Sequence, residues 1–126
     1  MIPTDRYYTA NHLWVKIEDS TATVGITDHA QRELGDVIFV ELPPPEKEMT
    51  KDAECIVVES IKAASEIQAP LSGRIVETNA LLDTKPELIN KDPYSQGWLV
   101  KLWLTDGEDL NTLLDADAYG SLLEDN

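Results

Sequence analysis

The feature that most constrains this chain is its punctuation. Short runs of β-branched and aromatic residues follow one another, and each is cut off by Gly, Pro, Asp, Asn or Ser before it can lengthen. No segment offers the long crossover helix that a parallel sheet requires, so antiparallel pairing of near neighbours is what remains. Leu13-Trp14-Val15-Lys16-Ile17 and Thr21-Ala22-Thr23-Val24-Gly25-Ile26, joined by Glu18-Asp19-Ser20, predict a β-hairpin. Thr27 can cap a short helix over residues 28–34, since its hydroxyl can accept from a free first-turn amide, and Gly35 can end it. Val37 to Leu42 reads as a strand stopped by Pro43, Pro44 and Pro45, which lack ladder donors, and Glu46 to Asp52 as a solvated loop.

Glu54 to Glu59, Glu66 to Ala69 and Gly73 to Thr78 continue the strand pattern, with Ser60 to Ser65 connecting the first two. Asn79 to Ile89 contains Pro86 and predicts one or two short helical turns. Tyr94 to Gly97 reads as a turn, and Trp98 to Leu104 as a last strand. There Trp98, Val100, Leu102 and Leu104 share one face and Trp103 takes the other. In the tail, Asp115 is placed to cap a helix over residues 115–124. Its Ala118, Tyr119, Leu122 and Leu123 form a stripe that should pack on the sheet, while Glu124, Asp125 and Asn126 should fray. The sum is an all-β core with a small helical appendage, and 126 residues suit one domain.

Charge narrows the functional classes. With 24 acidic against 10 basic residues, the formal net charge of −14 repels phosphate backbones and anionic lipid. Nucleic acid and membrane are therefore not expected partners. Two readings of the acidity stay open, simple solubility or steering toward partners with basic faces. Cys55, the one cysteine, lies in the apolar run Cys55-Ile56-Val57-Val58, which excludes an internal disulfide and predicts a small core residue. Met1 to Tyr8 is neither apolar nor Arg-rich, and no stretch reaches membrane-spanning length. A cytoplasmic protein without a transit peptide is expected, although a mature organellar chain would look the same.

Several catalytic arrangements fail on their parts. His12 and His29 are far apart in sequence with no cysteine pair beside them, so they are expected as surface or hydrogen-bonding residues and no metal is expected. Asp115 to Asn126 shares some acid spacing with a calcium loop. Tyr119 and Asn126 stand where oxygen ligands are needed, so a helix start is the better reading. No glycine-rich phosphate loop occurs, and Ser60 near Lys62 lacks any oxyanion-hole motif that would make a nucleophile and base of them.

What remains is one lysine. In Val57-Val58-Glu59-Ser60-Ile61-Lys62-Ala63-Ala64-Ser65-Glu66-Ile67, Lys62 stands alone between two strands, with Ala63 and Ala64 leaving room for an enzyme to reach its amine. On spacing alone an ordinary solvated turn lysine is the better explanation, because exposed lysines are common. The string Glu59-Ser60-Ile61-Lys62-Ala63-Ala64-Ser65, however, resembles the lipoylation site of glycine cleavage H proteins. Other stretches resemble the same family in the same order: Trp14-Val15 after His12, Val24 to Pro43, Pro86 to Trp98 and the C-terminal helix.

The resemblance implies a mainly β fold, a lipoyl-domain-like barrel-sandwich hybrid (a flattened β-barrel or sandwich) with short helices and a C-terminal helix. It implies that Lys62 takes lipoic acid in amide linkage, and that Glu59, three residues before it, and Gly73, eleven after, are read by lipoylating enzymes. It further implies a monomeric carrier rather than an enzyme. The carrier accepts an aminomethyl group at glycine decarboxylase (P protein), yields its carbon at aminomethyltransferase (T protein), and is reoxidised by dihydrolipoyl dehydrogenase (L protein). A cleft on the carrier near the strand bearing Trp14 is expected to shelter the loaded arm. Lys51 and Glu54 depart from the family, which usually has glycine before Asp52 and an apolar or small residue at the latter place. A biotin carrier is disfavoured by Ile61 and Ala63, where methionines are usual, while a lipoyl relay to 2-oxoacid dehydrogenases or an unmodified scaffold stays open.

Overall fold

The computed structural model describes residues 2–104 and 110–124. Strands β1 (Tyr7–Tyr8), β2 (Leu13–Glu18) and β3 (Thr21–Ile26) lead into helix α1 (Asp28–Leu34). There follow β4 (Val37–Glu41), β5 (Glu48–Met49), β6 (Glu54–Ser60), β7 (Ala64–Gln68) and β8 (Gly73–Thr78). A 3-10 turn (Ala80–Asp83) and the short helix α2 (Leu88–Lys91) precede β9 (Val100–Leu104), and helix α3 (Ala116–Glu124) ends the described chain.

The strands form two antiparallel sheets, one of six in the order β1-β2-β3-β9-β8-β5 and one of three in the order β4-β6-β7. Together they make the expected mainly β, unclosed sandwich with a C-terminal helix. Leu13, Val24, Ile26, Ile75 and Leu102 from the larger sheet and Val37, Val40, Ile56 and Val58 from the smaller share one buried apolar cluster. Burying each such side chain contributes about 1.5–3 kcal/mol, which is what holds the sheets face to face. A second cluster forms where α3 docks on the first two strands. Tyr8 and Tyr119 stack with ring centroids 4.8 Å apart beside Trp14, and Leu122 and Leu123 pack around them.

The capping chemistry is as read. Thr27 Oγ1 accepts from the Ala30 amide at 3.2 Å, Gly35 ends α1 at φ 78°, and Asp115 Oδ1 accepts from the Ala118 amide at 2.8 Å. That last bond makes Asp115 a helix cap, not a calcium ligand.

Five boundaries or contacts differ from the sequence reading. Met49, inside the expected loop, forms the short strand β5 against β8 and is buried. Tyr7 and Tyr8 pair with Val15 and Trp14, a strand too brief to carry a period. Strand β7 begins two residues early, at Ala64, which tightens the connection that bears Lys62. Strand β9 begins at Val100, because Leu99 turns into the core while Trp98 packs with the α3 cluster beneath the Lys101 ammonium. In α3 the stripe is Ala116, Tyr119, Leu122 and Leu123, and Ala118 is exposed, since the cap at Asp115 sets the helix phase. The fraying expected of Asp125 and Asn126 lies outside the described residues.

Candidate functional site

Strands β6 and β7 pair from Glu59 and Ala64 back to Glu54 and Gln68, so Ile61, Lys62 and Ala63 form the tip of a hairpin. Ser60 builds that tip. Its amide donates to the Ala63 carbonyl at 2.9 Å, and its hydroxyl oxygen accepts from the amides of Lys62 at 3.2 Å and Ala63 at 3.3 Å. The hydroxyl also reaches the Ala63 carbonyl, as donor, at 3.2 Å. A serine so committed to turn amides is not poised as a nucleophile, which closes the Ser60–Lys62 reading.

Lys62 itself is exposed, and its side chain runs over the C-terminal end of α1. Its Nζ donates to the Glu33 carbonyl at 3.4 Å, a long bond, onto the negative end of the helix. The side chain crosses Gly35, where a Cβ would stand 3.2 Å from Lys62 Cε, a contact that a small shift of the flexible side chain relieves.

Glu59 is exposed on the outer face of the smaller sheet, beside Phe39 on one neighbour and Ala64 on the other. Gly73 lies in the other sheet, as the buried first residue of β8. It opens that strand, as the strand pattern from Gly73 to Thr78 predicts. A Cβ on Gly73 would sit 2.5 Å from the Trp103 carbonyl oxygen, so the requirement is close backbone approach.

Beside the lysine, a groove of about 510 Å³ runs between α1, the start of β2 and β7. Leu13, Ile26 and Ile67 give it apolar walls, and Glu33, Glu54 and Glu66 contribute carboxylates. It adjoins the strand that bears Trp14, but Trp14 faces away. That indole lies across Gly25 and donates from Nε1 to the Pro93 carbonyl at 2.8 Å, with the Arg6 guanidinium stacked 4.6 Å from its ring.

The histidines, distant in sequence, meet at the groove's edge with ring centroids 4.3 Å apart. His12 Nδ1 shares a 2.8 Å hydrogen bond with the Tyr119 hydroxyl, which in turn bonds Thr27 Oγ1 at 2.8 Å. Burial, and then the neighbouring His29, holds His12 below the usual imidazole pKa, while burial pushes the Tyr119 phenol up. Sequence spacing could not show this pairing, which depends on β2 and α1 lying side by side. Among the described residues no cluster of ligands could hold a metal ion, and no helix is long and apolar enough to cross a membrane. Cys55 is half-buried, its thiol pushed up by burial and directed at the Ile67 carbonyl at 3.6 Å.

The glycine cleavage H-protein family model matches residues 6–126. The chain belongs to that family. It is 55% identical to the glycine cleavage system H protein of Thermotoga maritima over 112 residues, 89% of this chain and 90% of the relative. With the H protein of Thermus thermophilus it shares 50% identity over 123 residues, 98% of this chain and 96% of the other. The crystal structure of a glycine cleavage system H protein from Mycobacterium marinum superposes with a TM-score of 0.89 at 39% identity, covering 98% of this chain and 99% of that one.

Membership in the H-protein family makes the chain a component of the glycine cleavage system. Within the segment from Pro86 to Trp98, one residue braces the helix end over which Lys62 lies. Asn90 accepts from the Val37 amide at 2.8 Å and donates to the Gly35 carbonyl at 2.8 Å and to Gln31 Oε1 at 3.1 Å. One side chain thus ties α2 to the end of α1 and the start of β4. At Asp52, φ is 72°, so the aspartate itself takes the left-handed position of the turn before β6, while Lys51, where the resemblance leads one to expect glycine, has no positive φ.

Proposed function

We propose that this chain is a non-catalytic carrier, one domain throughout, whose Lys62 holds lipoic acid in amide linkage. Its partners are then glycine decarboxylase, aminomethyltransferase and dihydrolipoyl dehydrogenase, together with the enzymes that lipoylate it. The observation that carries this reading is the exposed amine of Lys62 on a tip whose backbone is locked by Ser60 and whose neighbours are alanines.

A primary amine with one long hydrogen bond to a backbone carbonyl gives up little on acylation, so the residues present fit the group. When bound, lipoic acid supplies a disulfide that reversibly takes up a carbon unit and electrons. The chain's own contribution is placement. The rigid tip holds the attachment point at the rim, and a tethered arm raises the effective concentration of its end at each docked enzyme. The groove supports a second part of the reading, shelter. Its apolar walls offer a surface against which the arm can lie, and Glu33, Glu54 and Glu66 favour an amine-bearing cargo. Glu59 and Gly73 are the proposed recognition positions, Glu59 directly through its exposed carboxylate and Gly73 through the backbone packing it permits.

Incubation with lipoate, ATP and a lipoate ligase should raise the intact mass by one lipoyl group, located on the Lys62 peptide. Lys62→Arg should stay unmodified. The loaded protein should support glycine-dependent carbon dioxide exchange with added decarboxylase. A wild-type mass that does not change would sink the reading, and exchange supported equally by Lys62→Arg would do the same.

A further inference from the structure

Three large apolar side chains stand in water around the hairpin tip: Ile38 at 57% exposure, Phe39 at 52% and Ile61 at 66%. The first two are exposed by a specific device. Strand β4 shifts register against β6 between Val37 and Phe39, a bulge in which Ile38 is the extra residue. Strict alternation would send Phe39 inward with Val37. The bulge instead keeps Val37 and Val40 in the core and turns both residues between them outward. Ile61 joins them because its amide donates to the Asp36 carbonyl at 3.0 Å, which lays the hairpin tip beside the start of β4.

The smaller sheet carries one sign of charge. Every charged side chain within β4, β6 and β7 is a carboxylate, Glu41, Glu54, Glu59 and Glu66, and the cation nearest in the chain is Lys62 itself at the tip. Cross-strand pairing aligns Phe39, Glu59 and Ala64 in one outward row, and Glu41, Val57 and Glu66 in the next. The result is a group of exposed apolar side chains on an acidic sheet, beside the tip that carries the amine to be modified.

We propose that Ile38, Phe39 and Ile61 form the docking surface for the enzyme that acylates Lys62, and that this enzyme meets them with an apolar recess bordered by Lys and Arg. The inference rests on Lys62 being the lipoylated residue. The choice of occupant follows from reach. An enzyme acting at the far end of an attached arm can stand away from the hairpin, whereas one that forms the amide must bring its active centre within bonding distance of Nζ and so must cover the tip. Covering exposed apolar side chains at such a place is favourable, and the acidic sheet orients a basic partner as it approaches.

The test uses the full-length protein and lipoate ligase with lipoate and ATP. The step followed is amide formation between Lys62 Nζ and the acyl carbon of lipoyl-AMP, with AMP leaving and a proton released. Ile38→Ser combined with Phe39→Ser, and separately Ile61→Ser, should raise KM for the carrier and lower kcat/KM about tenfold. kcat should hold, and circular dichroism and melting should match wild type. Tyr7→Ser, which removes an exposed aromatic side chain in the other sheet, should leave the rate unchanged. Raising salt should lower wild-type kcat/KM, and Glu41→Gln with Glu66→Gln should reduce that dependence.

Folded patch variants within twofold of wild type in kcat/KM would overturn the proposal, as would a loss confined to kcat. A wild-type dimer in sedimentation that these variants dissociate would overturn it in favour of a second copy of the chain. A wild-type protein that no ligase modifies would remove the reading beneath it, an outcome distinct from equal modification of wild type and variants.

Discussion

Ser60 and Gly73 act by opposite means, one by what it bonds and the other by what it lacks. Ser60 is 7% exposed and its hydroxyl serves two tip amides, so Ser60→Ala leaves those donors short of a partner inside a tight turn. We expect a loss of about 1–2 kcal/mol in unfolding free energy, read from urea denaturation, and slower lipoylation as Lys62 becomes less well placed. Gly73→Ala drives a methyl group into the Trp103 carbonyl, a backbone atom that cannot step aside alone. A loss of about 1–3 kcal/mol should appear as a lower melting temperature. Any lipoylation defect in that variant therefore has to be measured on the folded fraction. His12 gives a pH dependence whose sign is determined by burial. Its pKa is lower folded than unfolded, so between the two values the unfolded chain binds more protons. Stability should be undiminished above about pH 6.5, the ordinary imidazole value, and should fall as pH drops from there through the folded pKa. A urea midpoint series against pH, flattened by His12→Phe, checks this.

At the scale of elements, the hairpin tip is only as well placed as the helix end beneath it. Helix α1 has no fully buried residue of its own, and its exposed turns carry ion pairs such as Arg32 with Asp28, which contribute little in solvent. Asn90 makes up for this from α2. Asn90→Ala removes three hydrogen bonds at once and orphans the Val37 amide. We expect a loss of about 2 kcal/mol and faster amide exchange at Val37 and Ile61, measured by hydrogen exchange. Much at this scale was legible from the chain. The hairpin of β2 and β3, the Thr27 and Asp115 caps, the Gly35 stop and the strands flanking Lys62 all follow from local chemistry. The short strands β1 and β5 were not, since two-residue pairings exist only because a partner edge lies opposite. The β4 bulge was also hidden, as it reconciles the alternation of one strand with that of its neighbour.

For the whole molecule the dominant quantity is the net charge of −14. Crowding so many carboxylates onto one small fold raises its energy relative to the expanded chain, and counterions relieve that repulsion. The melting temperature should therefore rise as sodium chloride is added from low to physiological ionic strength, and a flat or falling curve by scanning calorimetry would contradict this. The charge also has a pattern that composition cannot express. Among the described residues, Lys16 pairs with Asp5, Arg74 with Glu46, and Lys101 lies over Trp98, all in the larger sheet. The sheet that presents Lys62 is left acidic.

The residues alone determined the longer secondary elements, the antiparallel fold class and Lys62 as the position to watch, because caps, turns and strand periods are written within a few neighbours of each other. They also carried the family resemblance, which spans nearly the whole chain. Only the tertiary structure decided that two distant histidines meet at the edge of a groove lined by three carboxylates, that Trp14 turns its back on that groove, and that Ile38, Phe39 and Ile61 gather at the hairpin tip. Each of these depends on which strand edge meets which helix across the sandwich, and that is settled by burial of the whole core and not by any local run of residues.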